Sequence, residues 1–232
     1  MSINISTMRT TLLLIGLLVS PLLFAQNNST IGLKLHGFLP TGELKQDASE
    51  IWGGGFGSEI ALQIKESPIY VGGAFNFTRY GSKVRKGYHN IDFQDVRYRY
   101  HNEVMELAPL IRFKPETYTR FMPYVDFTFG TSMIYTRARV FDREIDEVVD
   151  TFFELTDFVF SYGLGAGLEY LIDETFSLSL FAKSNFSSRG EYLTPNTIQY
   201  DQEIEGYQLD IQQSRFNSFF FGLGLNIILR EF

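Results

Sequence analysis

The sequence predicts an all-β protein: an eight-stranded antiparallel barrel that crosses a membrane. Three observations carry this expectation. From Ile31 onward the dominant hydrophobic period is two, the signature of strands with one apolar face. The connections between the alternating segments run short and long in strict turn. The composition is rich in aromatics (16%) and glycine (20 residues) and lacks cysteine altogether. That last absence excludes a disulfide framework, a thiolate metal site and a cysteine nucleophile. The net charge is −7, from 20 Lys+Arg against 27 Asp+Glu. A nucleic-acid partner would call for a basic footprint instead, so none is expected.

Residues 1–25 read as a signal peptide. Arg9 is their only charge, an apolar run extends from Leu12 to Phe24, and Ala25 supplies a small residue for cleavage before polar Gln26. The run is too short for a spanning helix, which needs about 20 apolar residues. Removing Arg9 takes the mature chain, 26–232, to −7 − 1 = −8. No other stretch is long and apolar enough to span as a helix, so any membrane crossing is by strands.

The eight segments follow in order. The first sets Ile31, Leu33, Leu35 and Leu39 on one face against Lys34 and His36. The second sets Phe56, Ile60, Leu62 and Ile64 against Gly57, Glu59, Ala61 and Gln63. In the third, Ile69, Val71, Phe75 and Phe77 oppose Gly72, Ala74, Asn76 and Thr78. In the fourth, Met105, Leu107, Ile111 and Phe113 oppose Glu106, Ala108 and Arg112. The fifth carries Phe121, Val125, Phe127, Phe129, Met133 and Tyr135 against Tyr124, Asp126, Thr128, Gly130 and Ser132. The sixth alternates most cleanly, from Phe158 to Ile172, with Ser161, Gly163, Gly165, Gly167 and Glu169 on its other face. The seventh pairs Phe176, Leu178, Leu180 and Phe186 with Ser177, Ser179, Lys183 and Asn185. The eighth pairs Phe219, Phe221, Leu223, Leu225, Ile227 and Leu229 with Gly222, Gly224, Asn226 and Arg230. Pro109 and Pro123 each cost a ladder hydrogen bond, so bulges or gaps are expected there.

Lys65–Pro68, Lys114–Arg120 and Asp173–Thr175 are the short connections; Thr41–Gly54, Gly81–Arg97, Thr136–Thr156 and Ser187–Arg215 are the long ones. Short turns at one end and long loops at the other, around an even strand count, are the layout of an outer-membrane barrel. Ser187–Arg215 is long enough to hold another hairpin, which leaves ten strands as the structural alternative. A soluble lipocalin-like barrel also alternates. It is disfavoured because the apolar face is rich in Phe, Leu and Ile in nearly every strand while the opposite face mixes glycine with isolated charges.

Those charges are Lys34, Glu59, Glu106, Arg112, Asp126, Glu169 and Lys183, with His36 beside them. They predict a paired network filling a narrow lumen, because charges withdrawn from water persist only when paired. Three positives against four negatives suit a self-neutralising plug better than a selectivity filter of one dominant sign. In the last strand, Phe221, Leu223, Leu225, Ile227 and Leu229 form a continuous apolar row where assembly machinery reads such barrels.

The chain resembles the outer-membrane β-barrel domain family of Gram-negative bacteria, which includes small OmpX/OmpW-type barrels and PorT-like proteins. The resemblance spans 26–232. It rests on Phe38-Leu39-Pro40-Thr41-Gly42, on the glycine-rich Tyr162–Tyr170 strand and on the terminal Phe221-Gly222-Leu223-Gly224-Leu225-Asn226-Ile227-Ile228-Leu229. These motifs belong to the fold and specify no activity. The family's terminal aromatic departs here, since Phe232 is out of phase with Leu225, Ile227 and Leu229. The PorT-like branch implies an accessory role in protein secretion.

Other candidates carry less. Ser184-Asn185 is similar to the Ser-Asn element of outer-membrane lipid A deacylases, whose histidine two residues before the serine is Ala182 here; without a base the serine is a poor nucleophile. Asp142, Glu144, Asp146, Glu147 and Asp150 lack calcium-loop spacing and its glycine. Gly53–Gly57 leads into a strand, where a phosphate cradle would need a helix; it reads as a flexible loop exit. Trp52, Tyr70, Tyr80, Tyr135, Tyr162 and Tyr170 lie near strand ends and are expected at the headgroup level. Tyr98 and Tyr100, interleaved with Arg97 and Arg99, suggest either an aromatic platform or a strand that projects beyond the membrane. No catalytic set, cofactor or metal is expected. The expected function is a non-enzymatic envelope protein acting through its long loops or a protein partner. The expected partners are outer-membrane lipids, the barrel assembly machinery and an envelope or secretion-complex protein. A small porin-like diffusion channel is the alternative, and a lipid-modifying enzyme a weaker one.

Overall fold

A computed structural model describes residues 29–88, 95–117, 119–142, 147–201 and 206–229. The segment expected to be a signal peptide, the start at Gln26 and the off-phase Phe232 lie outside them.

Eight strands close into one ring: β1 (Ser29–Pro40), β2 (Gly53–Gln63), β3 (Ile69–Tyr88), β4 (Asp95–Phe113), β5 (Phe121–Asp142), β6 (Val148–Leu171), β7 (Phe176–Ser187) and β12 (Ser218–Leu229). Neighbours in sequence pair antiparallel, and β1 closes on β12 from Ser29↔Leu229 to Pro40↔Ser218. The ring has no free edge, so every backbone donor within it can pair, as hydrocarbon demands. The ten-strand alternative fails. Ser187–Arg215 does contain strands, β8 (Arg189–Tyr192), β9 (Ile198–Asp201), β10 (Gly206–Leu209) and β11 (Gln212–Arg215), but they pair only as β8–β11 and β9–β10, outside the ring.

The prolines differ in effect. The β4–β5 ladder skips from Leu107↔Thr131 to Leu110↔Thr128, leaving Pro109 unpaired on that side. Pro123 pairs regularly with Leu168 and lies before β5 meets β4, so it produces no bulge. Gly53–Gly57 is no flexible exit but the start of β2: a Cβ at Gly55 would lie 1.9 Å from the Phe77 carbonyl oxygen. After β1, Thr41 N–H donates to the Asn217 carbonyl at 3.0 Å. Gly42 then takes φ +58°, where a side chain would be strained, and opens the short helix α1 (Gly42–Asp47).

The short turns stand where the alternation sets them. Two of the long connections do not remain loops. Gly81–Arg97 and Thr136–Thr156 are largely drawn into β3, β4, β5 and β6, which run 19 to 24 residues against 12 in β1, β7 and β12. β6 exceeds β1 by 24 − 12 = 12 residues, roughly 40 Å along the strand at about 3.3 Å each. One side of the barrel thus continues past the other as a four-stranded wall.

Candidate functional site

The two faces of the ring differ sharply. Outside lies a belt of large apolar side chains: Leu33 is 65% exposed, Leu107 69%, Phe158 65% and Leu223 64%, with Leu35, Phe160 and Leu180 alongside. In water such a belt is untenable on a monomer, since contiguous apolar patches rarely exceed a few hundred Å². Inside, the same strands bury arginine, lysine, glutamate and aspartate. Apolar without, charged within and closed all round: this is the solution for a bilayer. The chain is an integral outer-membrane β-barrel.

The barrel's lumen is built in storeys. Nearest the short turns, Lys114 Nζ donates to Glu169 Oε2 at 3.2 Å and lies over the Tyr70 ring, while Ser177 Oγ donates to Glu169 Oε1 at 2.5 Å. Above it stands Arg112, 1% exposed. Its Nη2 donates to Glu59 Oε1 at 2.8 Å, its Nε to Asp126 Oδ1 at 2.7 Å, and Nη2 again to Asp126 Oδ2 at 2.8 Å. The guanidinium lies 4.2 Å over the Tyr124 ring, and Lys34 Nζ reaches the other Glu59 oxygen at 2.5 Å. The next storey joins Lys183 Nζ to Glu106 Oε1 at 2.6 Å, with Asn76 donating to Glu106 Oε2. Higher still, His36 and Thr78 share a hydrogen bond of 2.8 Å beneath the Phe220 ring.

β6 explains how such long side chains fit. A Cβ at Gly163 would lie 2.3 Å from Lys183 Cε, and one at Gly167 2.3 Å from the Tyr124 ring. The glycine-rich face is space ceded to the network.

All seven charges singled out in the sequence thus meet in the lumen, in three ion-paired groups. Lys114, assigned above to a turn, belongs with them. It makes the inward balance four positives (Lys34, Arg112, Lys114, Lys183) against four negatives (Glu59, Glu106, Asp126, Glu169). Lys114→Ala is expected to destabilise the barrel by about 3 kcal/mol through the abandoned Glu169. The corresponding change at Lys65, in an exposed turn, should leave the unfolding midpoint in place. Equal midpoints for the two variants would remove Lys114 from the network.

The long-loop end is closed differently. Phe38, Tyr80, Val104, Ile134, Val159 and Phe220 turn inward and pack with Leu44 of α1 and with Tyr192 and Phe216. The Tyr80 hydroxyl and Asn102 Nδ2 both donate to the Leu193 carbonyl, at 3.2 and 2.7 Å, pinning the last connection across the mouth. Two voids among the described residues of the lumen have volumes of about 10 and 30 Å³, room for little more than a water or two.

Several aromatic expectations need correction. Tyr70 and Tyr80 are buried inside the barrel, since their positions have inward parity. Tyr135 is covered by Phe153, their rings 5.7 Å apart. Trp52, Tyr162 and Tyr170 are exposed as the headgroup reading requires. Tyr98 and Tyr100 stack on one another, ring centroids 6.3 Å apart, but the interleaved Arg97 and Arg99 do not share their face. Strand alternation sends Tyr98 and Tyr100 to the inner face of the wall, against Ala138, Phe152 and Leu209, and the arginines outward onto Phe141. On that inner face, burial and the carboxylates of Glu154 and Asp150 raise the Tyr98 phenol above its ordinary value. Alternation likewise separates Ser184 from Asn185, which is buried in the lumen. Of the acidic cluster, Glu144 and Asp146 lie outside the described residues.

No family model and no curated protein sequence matches the chain. Among solved structures, similar ones include Neisserial surface protein A (11% identity, covering 86% of this chain and 96% of that one, TM-score 0.43). Ail, the attachment invasion locus protein of Yersinia pestis, is 13% identical over 88% of this chain and 99% of that one, TM-score 0.39. A major outer membrane protein from Thermus thermophilus is 14% identical over 87% of this chain and 99% of that one, TM-score 0.41. These are distant likenesses of overall fold.

Proposed function

We propose that the barrel is a non-enzymatic scaffold whose work is done by its projecting wall and surface connections on a protein partner of the cell envelope. The filled lumen carries this reading: a passage blocked by paired charges and capped by an apolar cluster leaves the surface as the place for function. The same observation weighs against a small diffusion channel. The resemblance to PorT-like proteins makes a secretion complex the partner class to test first. In this reading the Phe221–Leu229 row is what the assembly machinery engages, and the exposed belt is what outer-membrane lipids cover.

Planar-bilayer recording and crosslinking test it together. The purified protein is expected to be electrically silent, and a large steady conductance would promote the channel. The absence of cysteine gives a clean background for a Thr151→Cys variant. It is expected to react with an impermeant maleimide on intact cells and, with a photo-crosslinking maleimide, to trap an envelope protein. No label on intact cells, or no trapped protein from any position along the wall, would overturn the surface role.

A further inference from the structure

The outer face of the projecting wall carries a feature that the scaffold role leaves unused. Arg79, Arg97, Arg99, Arg137 and Arg139 all lie on it, brought together by the registers Arg97↔Phe141, Arg99↔Arg139, His101↔Arg137 and Arg79↔Glu103. Between the apolar belt and Phe141, Glu103 is the one acid of this face among the described side chains. It is shared: one oxygen, Oε1, accepts from Arg79 at 2.7 Å and from Arg137 at 2.9 Å. Five arginines and one glutamate thus share this stretch of the face, on a chain whose net charge is −7.

Arg99 and Arg139 are the telling pair. They stand directly opposite on adjacent strands, an arrangement in which like charges repel. Neither makes an ion pair among the described residues; Arg99 rests over the Phe141 ring at 4.9 Å. His101 sits in the middle of the patch. Burial and the surrounding Arg79, Arg137 and Arg139 push its pKa down to about 4, against the opposing pull of Glu103, so this imidazole adds no charge at neutral pH.

Position selects the ligand. The lowest arginines, on Glu103, stand two residues above Met105 of the belt, at the level of headgroups, and the rest follow upward. Phe153 and Val84 are exposed on the same face, apolar surface beside cationic surface. The acidic remainder of the protein repels a soluble polyanion at a distance, whereas a lipid arrives by diffusing within the leaflet.

The geometry points to a binding site, on the outer face of β3–β6, for the phosphate groups of a phosphorylated glycolipid headgroup in the outer leaflet. Guanidinium forks bind phosphate bidentately, and one phosphate between Arg99 and Arg139 would turn their repulsion into two charge-assisted contacts. The assignment rests on the surface orientation proposed above, which the Thr151→Cys labelling reads separately.

The test is titration of the full-length refolded barrel in detergent, by native mass spectrometry, with diphosphoryl lipid A and with its dephosphorylated form. The wild type is expected to bind the diphosphoryl lipid at least about tenfold more tightly. Arg99→Gln/Arg139→Gln should lose that preference. Arg189→Gln/Arg215→Gln, removing two exposed arginines from the last connection, should keep it. A heat-dependent gel shift checks that each variant is folded, and because these side chains lie outside the ring both pairs should retain it. Equal affinity for the two lipids, or equal loss in both double variants, would overturn the site. Displacement of the lipid by excess inorganic phosphate would overturn the glycolipid assignment.

Discussion

Arg112→Ala should lower the stability of the barrel by about 3–5 kcal/mol, the cost of stranding buried carboxylates. Arg112 is the only described residue that joins two carboxylates across the lumen, Glu59 of β2 and Asp126 of β5. Without it Glu59 keeps Lys34, but Asp126 keeps no ion-pair partner among the described residues. The bidentate geometry and the stacking on Tyr124 need a planar fork, so Arg112→Lys should recover only part of the loss. Asp126→Asn in the Arg112→Ala background should also recover part, because it removes the stranded charge. The midpoint of urea unfolding in detergent, followed by the loss of the unheated gel mobility, reads all four proteins. A wild-type midpoint in Arg112→Ala would mean that the lumen holds enough water to solvate the carboxylates. That outcome would reopen the question of a permeable bore.

Much of this was legible in the sequence, for a physical reason. Within the bilayer each strand has one lipid face and one lumen face, so alternation is enforced residue by residue; β6 from Phe158 to Tyr170 shows it without a break. Above the bilayer both faces of the wall meet water or other protein, the enforcement ends, and Gly81–Arg97 reads as a loop although it is largely ladder. The wall also contains register shifts, at Arg79/Gly81 and Thr136/Arg137. Each breaks the parity of its own strand, after Arg79 in β3 and between Phe153 and Leu155 in β6, so that Val84 and Phe153, out of phase with the belt residues of their strands, share the outer face with Arg99. Lys114 was missed because the apolar row ends at Phe113, which puts the next residue in a turn. Its four-carbon stem reaches back to Glu169, and the missing fourth positive was the available clue. Tyr70 and Tyr80 show that an aromatic at a strand end is not thereby interfacial: parity, not depth, decided that both face inward.

Leu225→Arg should abolish or severely reduce insertion, while Asn226→Arg, one position along the same strand, should be far milder. Leu225 belongs to the exposed belt and Asn226 is 2% exposed inside. A charge on the lipid face near mid-depth costs about 2–4 kcal/mol, with no partner to recover it. An arginine at 226 enters a crowded site, and overpacking costs about 1–3 kcal/mol, but it finds carboxylates there. Asn226 Nδ2 donates to Ser177 Oγ, which itself donates to Glu169, and Glu59 lies across Gly32, whose missing side chain leaves the gap between them open. The two variants differ by a single step along a strand and by nothing in composition, so hydrophobicity summed over the segment cannot separate them; only the direction of the side chain can. The fraction reaching the heat-modifiable folded form in lipid vesicles is the readout. Equal yields, or a greater defect at 226, would mean that the final strand is threaded with the opposite parity. In that case the charges of Arg112 and its partners would face lipid, which their burial in ion pairs makes untenable.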